Sequence, residues 1–163
     1  MRRIIVQESD FDPAALQRAL HEACAGQAGA IATFTGYVRD HAPGQPTETL
    51  TLEHYPGMCE RELQEIGDAA MARWRLQGYV ILHRYGELPR NAQIVFVAAA
   101  SAHRGDAFQA CQYIMDALKT RAPFWKRETL ADGRRFWVQA REQDAEKTRQ
   151  WEQDPRPNKE LSG

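Results

Sequence analysis

Pro123 constrains this chain more than any other residue, because the helical periodicity that runs into it cannot run through it. Proline lacks the N–H that a helix ladder needs, and it pushes the residue before it toward extended geometry. A helix carrying Lys119 therefore ends by Pro123, and Lys126 falls on the strand that follows, Phe124 to Leu130. That strand is half of a C-terminal β-hairpin. Arg134 to Ala140 is the other half, and Ala131-Asp132-Gly133 between them contains the Asp-Gly pair favoured at tight turns. Alternation along the first hairpin strand puts Phe124, Lys126 and Glu128 on one face. The corner also gathers Lys119, Arg121, Lys126 and Arg127 around Phe124 and Trp125. Cations crowded in this way repel one another unless an anion lies between them, and burial beside aromatic rings lowers a lysine pKa toward nucleophilic use.

Upstream, short elements alternate without internal repeats. Arg3 to Gln7 reads as a strand; Asp12 and Pro13 then supply an N-cap and a first-turn proline to a helix with Leu16 and Leu20 on one face, ending near Cys24 to Gly26. Ala30 to Arg39 is a strand interrupted at Gly36, and His41 to Thr47, with two prolines and a glycine, is loop. Thr49 to His54 alternates as a strand, Pro56-Gly57 turns the chain, and Leu63, Ile66, Ala70 and Trp74 mark the buried stripe of a helix. Tyr79 to Tyr85 and Gln93 to Ser101 are further strands, the second almost wholly apolar and so expected at the centre of a sheet. Phe108, Cys111, Met115 and Leu118 stripe the helix that leads to Pro123. The sum is an α+β fold: a mixed, largely antiparallel sheet with flanking helices and the hairpin. A polar helix is expected up to Trp151, and residues 152–163, which lack apolar periodicity, read as a polar, flexible tail.

Composition closes off several functions. At 163 residues, 43% hydrophobic and 26% charged, the chain suits one globular domain with a core of its own. A formal net charge of −1 argues against a general nucleic-acid binder, so basic residues must act locally. No apolar run approaches the roughly 18 residues of a membrane span. Cys24, Cys59 and Cys111 form no CxxC pair, and the N-terminus reads without an apolar leader; a reducing cytoplasm is the expectation. His21, His41, His54, His83 and His103 show neither an i, i+4 pair nor a cysteine at zinc spacing, so no metal site is expected. No phosphate loop, nucleophile elbow or paired catalytic carboxylate is visible, and no cofactor is called for.

What remains is a set of basic positions, each with two readings. His103-Arg104 opens the helix that carries Phe108, where free N–H groups and the helix dipole favour an anion, although polar residues also serve there as caps. Arg39 ends a strand beside a loop, as an anion contact or as an edge-strand charge. Lys119 sits near a helix C-terminus, where a cation is favourable in any case. The case rests on their convergence.

Five ordered segments carry a resemblance: Thr33-Phe34-Thr35-Gly36-Tyr37-Val38-Arg39, Leu50 to Met58, His83-Arg84-Tyr85-Gly86-Glu87-Leu88, Ser101-Ala102-His103-Arg104, and Leu118-Lys119 through Trp125-Lys126-Arg127-Glu128. Together they closely resemble the large, catalytic subunit of molybdopterin synthase, over about residues 3 to 151. The resemblance implies a sulfurtransferase of molybdenum cofactor biosynthesis that converts cyclic pyranopterin monophosphate into molybdopterin by installing two dithiolene sulfurs. It implies a small ubiquitin-like partner whose C-terminal Gly-Gly thiocarboxylate carries the sulfur, and a heterotetramer built on a central homodimer of the large subunit. Residues 1–151 would then be a single catalytic domain. Lys119 and Lys126 are the implied catalytic pair, and Tyr37, Val38, Arg39, His103, Arg104, Lys119, Lys126, Arg127 and Glu128 the implied substrate contacts. Relatives often carry lysine at the place of Tyr37, which leaves main-chain contacts as the implied ones there. Two other classes stay open on residues alone: a docking module whose lysine corner only binds an acidic tail, and a persulfide carrier using Cys24 or Cys59.

Overall fold

The computed structural model describes residues 1–40, 44, 46–138 and 142–153. Its elements are β1 (Arg2–Gln7), α1 (Pro13–Ala23), β2 (Ala30–Tyr37), β3 (Thr47–His54), α2 (Met58–Trp74), β4 (Gly78–Arg84), β5 (Gly86–Pro89), β6 (Gln93–Ser101), α3 (Arg104–Arg121), β7 (Phe124–Leu130), β8 (Arg135–Val138) and α4 (Glu142–Gln153). The strands divide between two four-stranded sheets, in the orders β1-β4-β6-β2 and β5-β3-β7-β8. Only the β1–β4 pair is parallel; every other pairing is antiparallel. The α+β class read from the sequence holds, with two sheets in place of one.

The first sheet is covered on both faces, which explains why its central strands are apolar throughout. On one side Tyr79, Ile81, Val95, Val97 and Ala99 meet Leu63, Ile66 and Ala70 of α2 and Ala110, Ile114 and Ala117 of α3. On the other, Val80, Leu82, Phe96, Ala98 and Ala100 meet Leu16 and Leu20 of α1. The side chain of Asp12 caps α1, accepting from Ala14 N at 2.9 Å and Ala15 N at 3.3 Å. A third, smaller core of Val38, Leu50, Leu52 and Leu88 lies under the second sheet. Ile94 and Phe124 pack against both the α2/α3 core and this smaller one, and so form the seam between the sheets.

Two elements depart from the sequence reading. The buried stripe of α3 is Ala107, Ala110, Cys111, Ile114, Ala117 and Leu118, whereas Phe108 is 67% exposed and Met115 only half-buried. Small alanines let α3 approach the sheet closely, and the ring falls one position out of phase. Strand β5 was not anticipated. Its four residues include a glycine and a proline, both poor strand formers, but it lies at a sheet edge against β3, where proline is tolerated. Gly86 turns β4 directly into β5 at φ 90°, a conformation that side chains disfavour.

Helix α4 binds the outside of α3. Trp151 Nε1 donates to Asp116 Oδ2 at 2.8 Å, and the Thr120 and Thr148 hydroxyls are 2.9 Å apart. The Arg73 guanidinium lies over the rings of Trp74, Tyr113 and Trp151, 4.9 to 5.8 Å from their centroids. Glu152 and Gln153, assigned above to the tail, belong to this helix. The remainder of that tail, most of the loop after Arg39, and the stretch 139–141 lie outside the described residues.

Candidate active site

The sharp turn at Pro123 brings α3 back against β7 at the seam. There a cavity of about 390 Å³ is lined from the first sheet by Phe34, Tyr37, His83 and Val95, from α3 by Met115 and Lys119, and from β7 by Phe124 and Lys126. Arg39 stands at its rim, just beyond β2. The two lysines therefore share one cavity although they belong to different layers of the fold. Gly36 lies on its wall: a Cβ there would sit 2.8 Å from Val95 Cγ1 and 3.3 Å from the Phe34 ring. The bulge at Gly36/Tyr37 turns the chain out of the β2–β6 ladder toward Arg39.

Among the polar residues that line the cavity His83 is the most buried, at 7% exposure. Its ring stacks on Phe124 with centroids 3.7 Å apart and planes 17° off parallel. Nδ1 lies 2.8 Å from the Arg84 carbonyl oxygen. A carbonyl only accepts, so Nδ1 carries the proton and Nε2 a lone pair. Burial pushes the His83 pKa down to about 3; the bond to Arg84 works the other way, and the charges of Lys126, Lys119 and His54 depress it further. The imidazole is neutral at physiological pH.

The other implied contacts are dispersed. Val38 is buried in the small core, and its main chain is already committed, N–H to Ala92 O at 2.9 Å and C=O to Asn91 N at 3.0 Å. Tyr37 is exposed at the cavity mouth. Arg39 Nη1 donates to the Asp40 carbonyl at 3.3 Å. Glu128 is wholly buried, with the Thr47 hydroxyl as its donor, and Arg127 lies 5.9 Å from the Trp137 ring centroid on the other face of β7. Neither lines the cavity. His103 and Arg104 are exposed at the opposite end of α3 from Lys119, about 22 Å away at 1.5 Å per helical residue. The His103 side chain makes no cap hydrogen bond.

Sequence reasoning missed His83, Met115 and Phe124 as cavity residues. The available signal for His83 was its register: Tyr79, Ile81 and His83 share the core-facing side of β4, and a polar residue in that phase needs a reason. Cys24, Cys59 and Cys111 are all buried and unpaired. Burial pushes the Cys59 thiol up to about 12, with help from Glu60, and the Cys111 thiol up to about 11, so neither is poised as a sulfur carrier. Among the described residues no group of His, Cys, Asp and Glu is placed to hold a metal ion, and no helix is long and apolar enough to cross a membrane.

Fold and cavity together define an α+β protein with a paired-lysine pocket set where two sheets meet. Its relatives narrow the class. The MoaE protein family is matched over residues 6–121, and the chain belongs to that family. It is 55% identical over 123 residues to the molybdopterin synthase catalytic subunit of Escherichia coli K12, covering 76% of this chain and 81% of that one. It is 51% identical over 151 residues to the molybdopterin synthase catalytic subunit of Ralstonia nicotianae, covering 93% and 85%. Among solved structures, a molybdopterin biosynthesis MoaE protein from Burkholderia ambifaria superposes with a TM-score of 0.78 at 44% identity, covering 93% of this chain and 99% of the other.

Proposed function

We propose that the chain is the sulfur-transferring subunit of a molybdopterin synthase, acting in the cytoplasm on cyclic pyranopterin monophosphate. The observation that carries the reading is the convergence of Lys119 and Lys126 on one cavity from opposite sides of the Pro123 corner. The name shared by the relatives, a catalytic subunit, implies another subunit. Its chemistry follows from the pocket: a narrow tail ending in Gly-Gly thiocarboxylate suits a cavity walled by Phe34 and Phe124 and lined by an exposed Lys119 and a half-buried Lys126. Trp125, the other aromatic of the basic corner, packs edge-on against Tyr55 at 4.5 Å, outside the cavity.

In this reading the lysines hold the thiocarboxylate and Arg39 meets the substrate phosphate at the rim. The thiocarboxylate sulfur attacks an oxygen-bearing carbon of the pterin side chain, forming a C–S bond as the C–O bond breaks and the oxygen leaves with a proton. Water then cleaves the resulting thioester, so that the partner leaves as a carboxylate and the sulfur stays on the pterin. A second loaded partner repeats the exchange at the neighbouring carbon. Lys119 offers charge to the incoming anion and, as an amine, a route for the protons released. Lys126 positions and neutralises. His103 and Arg104 cannot reach this cavity within their own chain, so the reading gives them to the cavity of a second copy across a two-fold axis. The exposed Phe108 one turn along offers apolar surface for such a contact.

The test is single-turnover conversion of the cyclic pterin with pre-thiocarboxylated partner. Lys119→Arg keeps the charge but enlarges the head and removes an amine able to lose its proton; it is expected to bind the partner and fail in transfer, while Lys126→Arg is milder. Near-normal transfer by the Lys119→Arg protein would show that charge alone is required. No turnover by the unsubstituted chain would remove the function.

A further inference from the structure

The cavity contains one polar group that the sulfur-transfer chemistry above does not use. His83 Nδ1–H is fixed on the Arg84 carbonyl, and the Arg84 side chain is itself held. Arg84 Nε donates to Glu8 O at 3.0 Å, its Nη1 donates to Gln93 O at 2.8 Å, and Asp10 pairs with it at 3.6 Å. The ring is clamped on its face by Phe124. Anchor and stack together leave the imidazole no freedom to flip, so the bare lone pair of Nε2 has a set direction. Among the described residues no group donates to Nε2, although the residue is more than nine-tenths buried and lines the lysine cavity. Nε2 is not sealed among the buried unsatisfied atoms but opens onto the cavity, where a donor that enters can reach it.

The neighbourhood says what that donor is attached to. An ammonium pair attracts an anion, and a neutral acceptor beside it asks for an N–H on the same ligand. A C-terminal glycine offers both on adjacent atoms, its thiocarboxylate and its own amide; a reduced pterin with a phosphate offers ring N–H groups and an anion. We propose that His83 is a substrate-contacting residue whose Nε2 accepts a hydrogen bond from an N–H of an entering reactant, so that the floor of the cavity selects a ligand carrying an N–H beside its anion. This rests on the sulfur-transfer reading for the identity of the reactants.

Three substitutions separate the parts of the ring. Gln places an amide oxygen near the position of Nε2 and keeps an acceptor. Asn imitates Nδ1, keeping the bond to Arg84 and losing the acceptor. Phe keeps the stack and loses both nitrogens. Thiocarboxylated partner and cyclic pterin are titrated separately into the full-length protein by calorimetry, with thermal melts run alongside. One of the two affinities is expected to fall roughly tenfold in His83→Asn and His83→Phe and to stay within about threefold in His83→Gln. The arm that falls names the donor, peptide amide or pterin ring. Equal affinities in the unsubstituted and Phe proteins would overturn the proposal, as would an equal loss in Gln and Asn, which would mark His83 as packing only. Should the Phe protein not fold, the Gln and Asn pair still decides. Binding of neither reactant by the unsubstituted protein overturns this proposal and the function together, whereas normal binding with indifferent variants overturns this proposal alone.

Discussion

Gly67 sits in the middle of α2 with its Cα turned onto the first sheet, and replacing it by alanine sets two known effects against each other. Alanine is the better helix former by about 1 kcal/mol. Its Cβ, however, would lie 2.3 Å from Cε2 and Cζ of Tyr79 and 2.7 Å from the hydroxyl. That ring cannot swing aside cheaply. It is fully buried, and its hydroxyl accepts from Gln64 Nε2 at 2.6 Å and donates to Asp68 Oδ1 at 3.1 Å. Overpacking of this kind costs about 1–3 kcal/mol, and displacing the hydroxyl forfeits about 1 kcal/mol for each bond lost. Sterics therefore win, for a net loss of roughly 1–4 kcal/mol, equivalent to about 3–12 °C in Tm for a chain of this size. The same substitution at Gly105, in the first turn of α3 with nothing within 4 Å of the new methyl, is expected to stabilise by about 0.4–1 kcal/mol. Urea unfolding followed by circular dichroism, with unchanged slope in denaturant, reads both. A Gly67→Ala protein as stable as the parent would refute the packing argument, and the Gly105→Ala protein guards against a general effect of added methyls.

Arg104→Ala is expected to weaken binding of the pterin by about 1.5–3 kcal/mol, one charge-assisted hydrogen bond, and to leave partner binding unchanged; calorimetry with each ligand checks it. Since the native His83 pKa is lowered from 6.5 to about 3, the unfolded state binds the extra proton between those values. Stability then falls as pH falls through that window, by up to about 1.4 kcal/mol per pH unit. Urea midpoints at pH 7, 6 and 5 are expected to converge between parent and His83→Gln, and parallel lines would contradict it. None of the three thiols is expected to react with a disulfide reagent at pH 8 in the native protein, with all three released on unfolding, because each is buried.

What the sequence disclosed followed the strength of its local signals. Asp12-Pro13 announced α1 because capping and proline geometry act within one turn. The apolar run from Gln93 to Ser101 announced a central strand because both its faces are covered. In the α3 stripe Cys111 and Leu118 are buried as read, but Phe108 and Met115 fall one residue beyond the buried Ala107 and Ile114, because Phe108 outweighs alanine on any scale of hydrophobicity whereas close packing on a sheet rewards the smaller residues. At the site, the lysine pair was legible since Pro123 acts on neighbours. Of the two aromatics at the corner, Phe124 lines the cavity because it shares the Lys126 side of β7, whereas Trp125 alternates away from it. His83 stayed hidden because its role depends on what β7 lays against it from a distant part of the chain, and no local pattern encodes that contact. His103 and Arg104 were read as belonging with the lysines, yet the length of α3 holds them apart.

Lys119 rides on a helix rooted in the large core of the first sheet, whereas Lys126 belongs to a sheet whose own buried core is four residues, Val38, Leu50, Leu52 and Leu88. Regions with little buried apolar surface open at lower free energy than the molecule as a whole. The distance between the two amines is thus governed by the weaker of two cooperative units. Warming or mild denaturant would part the amines while α1, α2 and the first sheet still hold their structure, so activity is lost at a lower temperature than helical circular dichroism. In this architecture the chemistry is sited at the boundary that yields first.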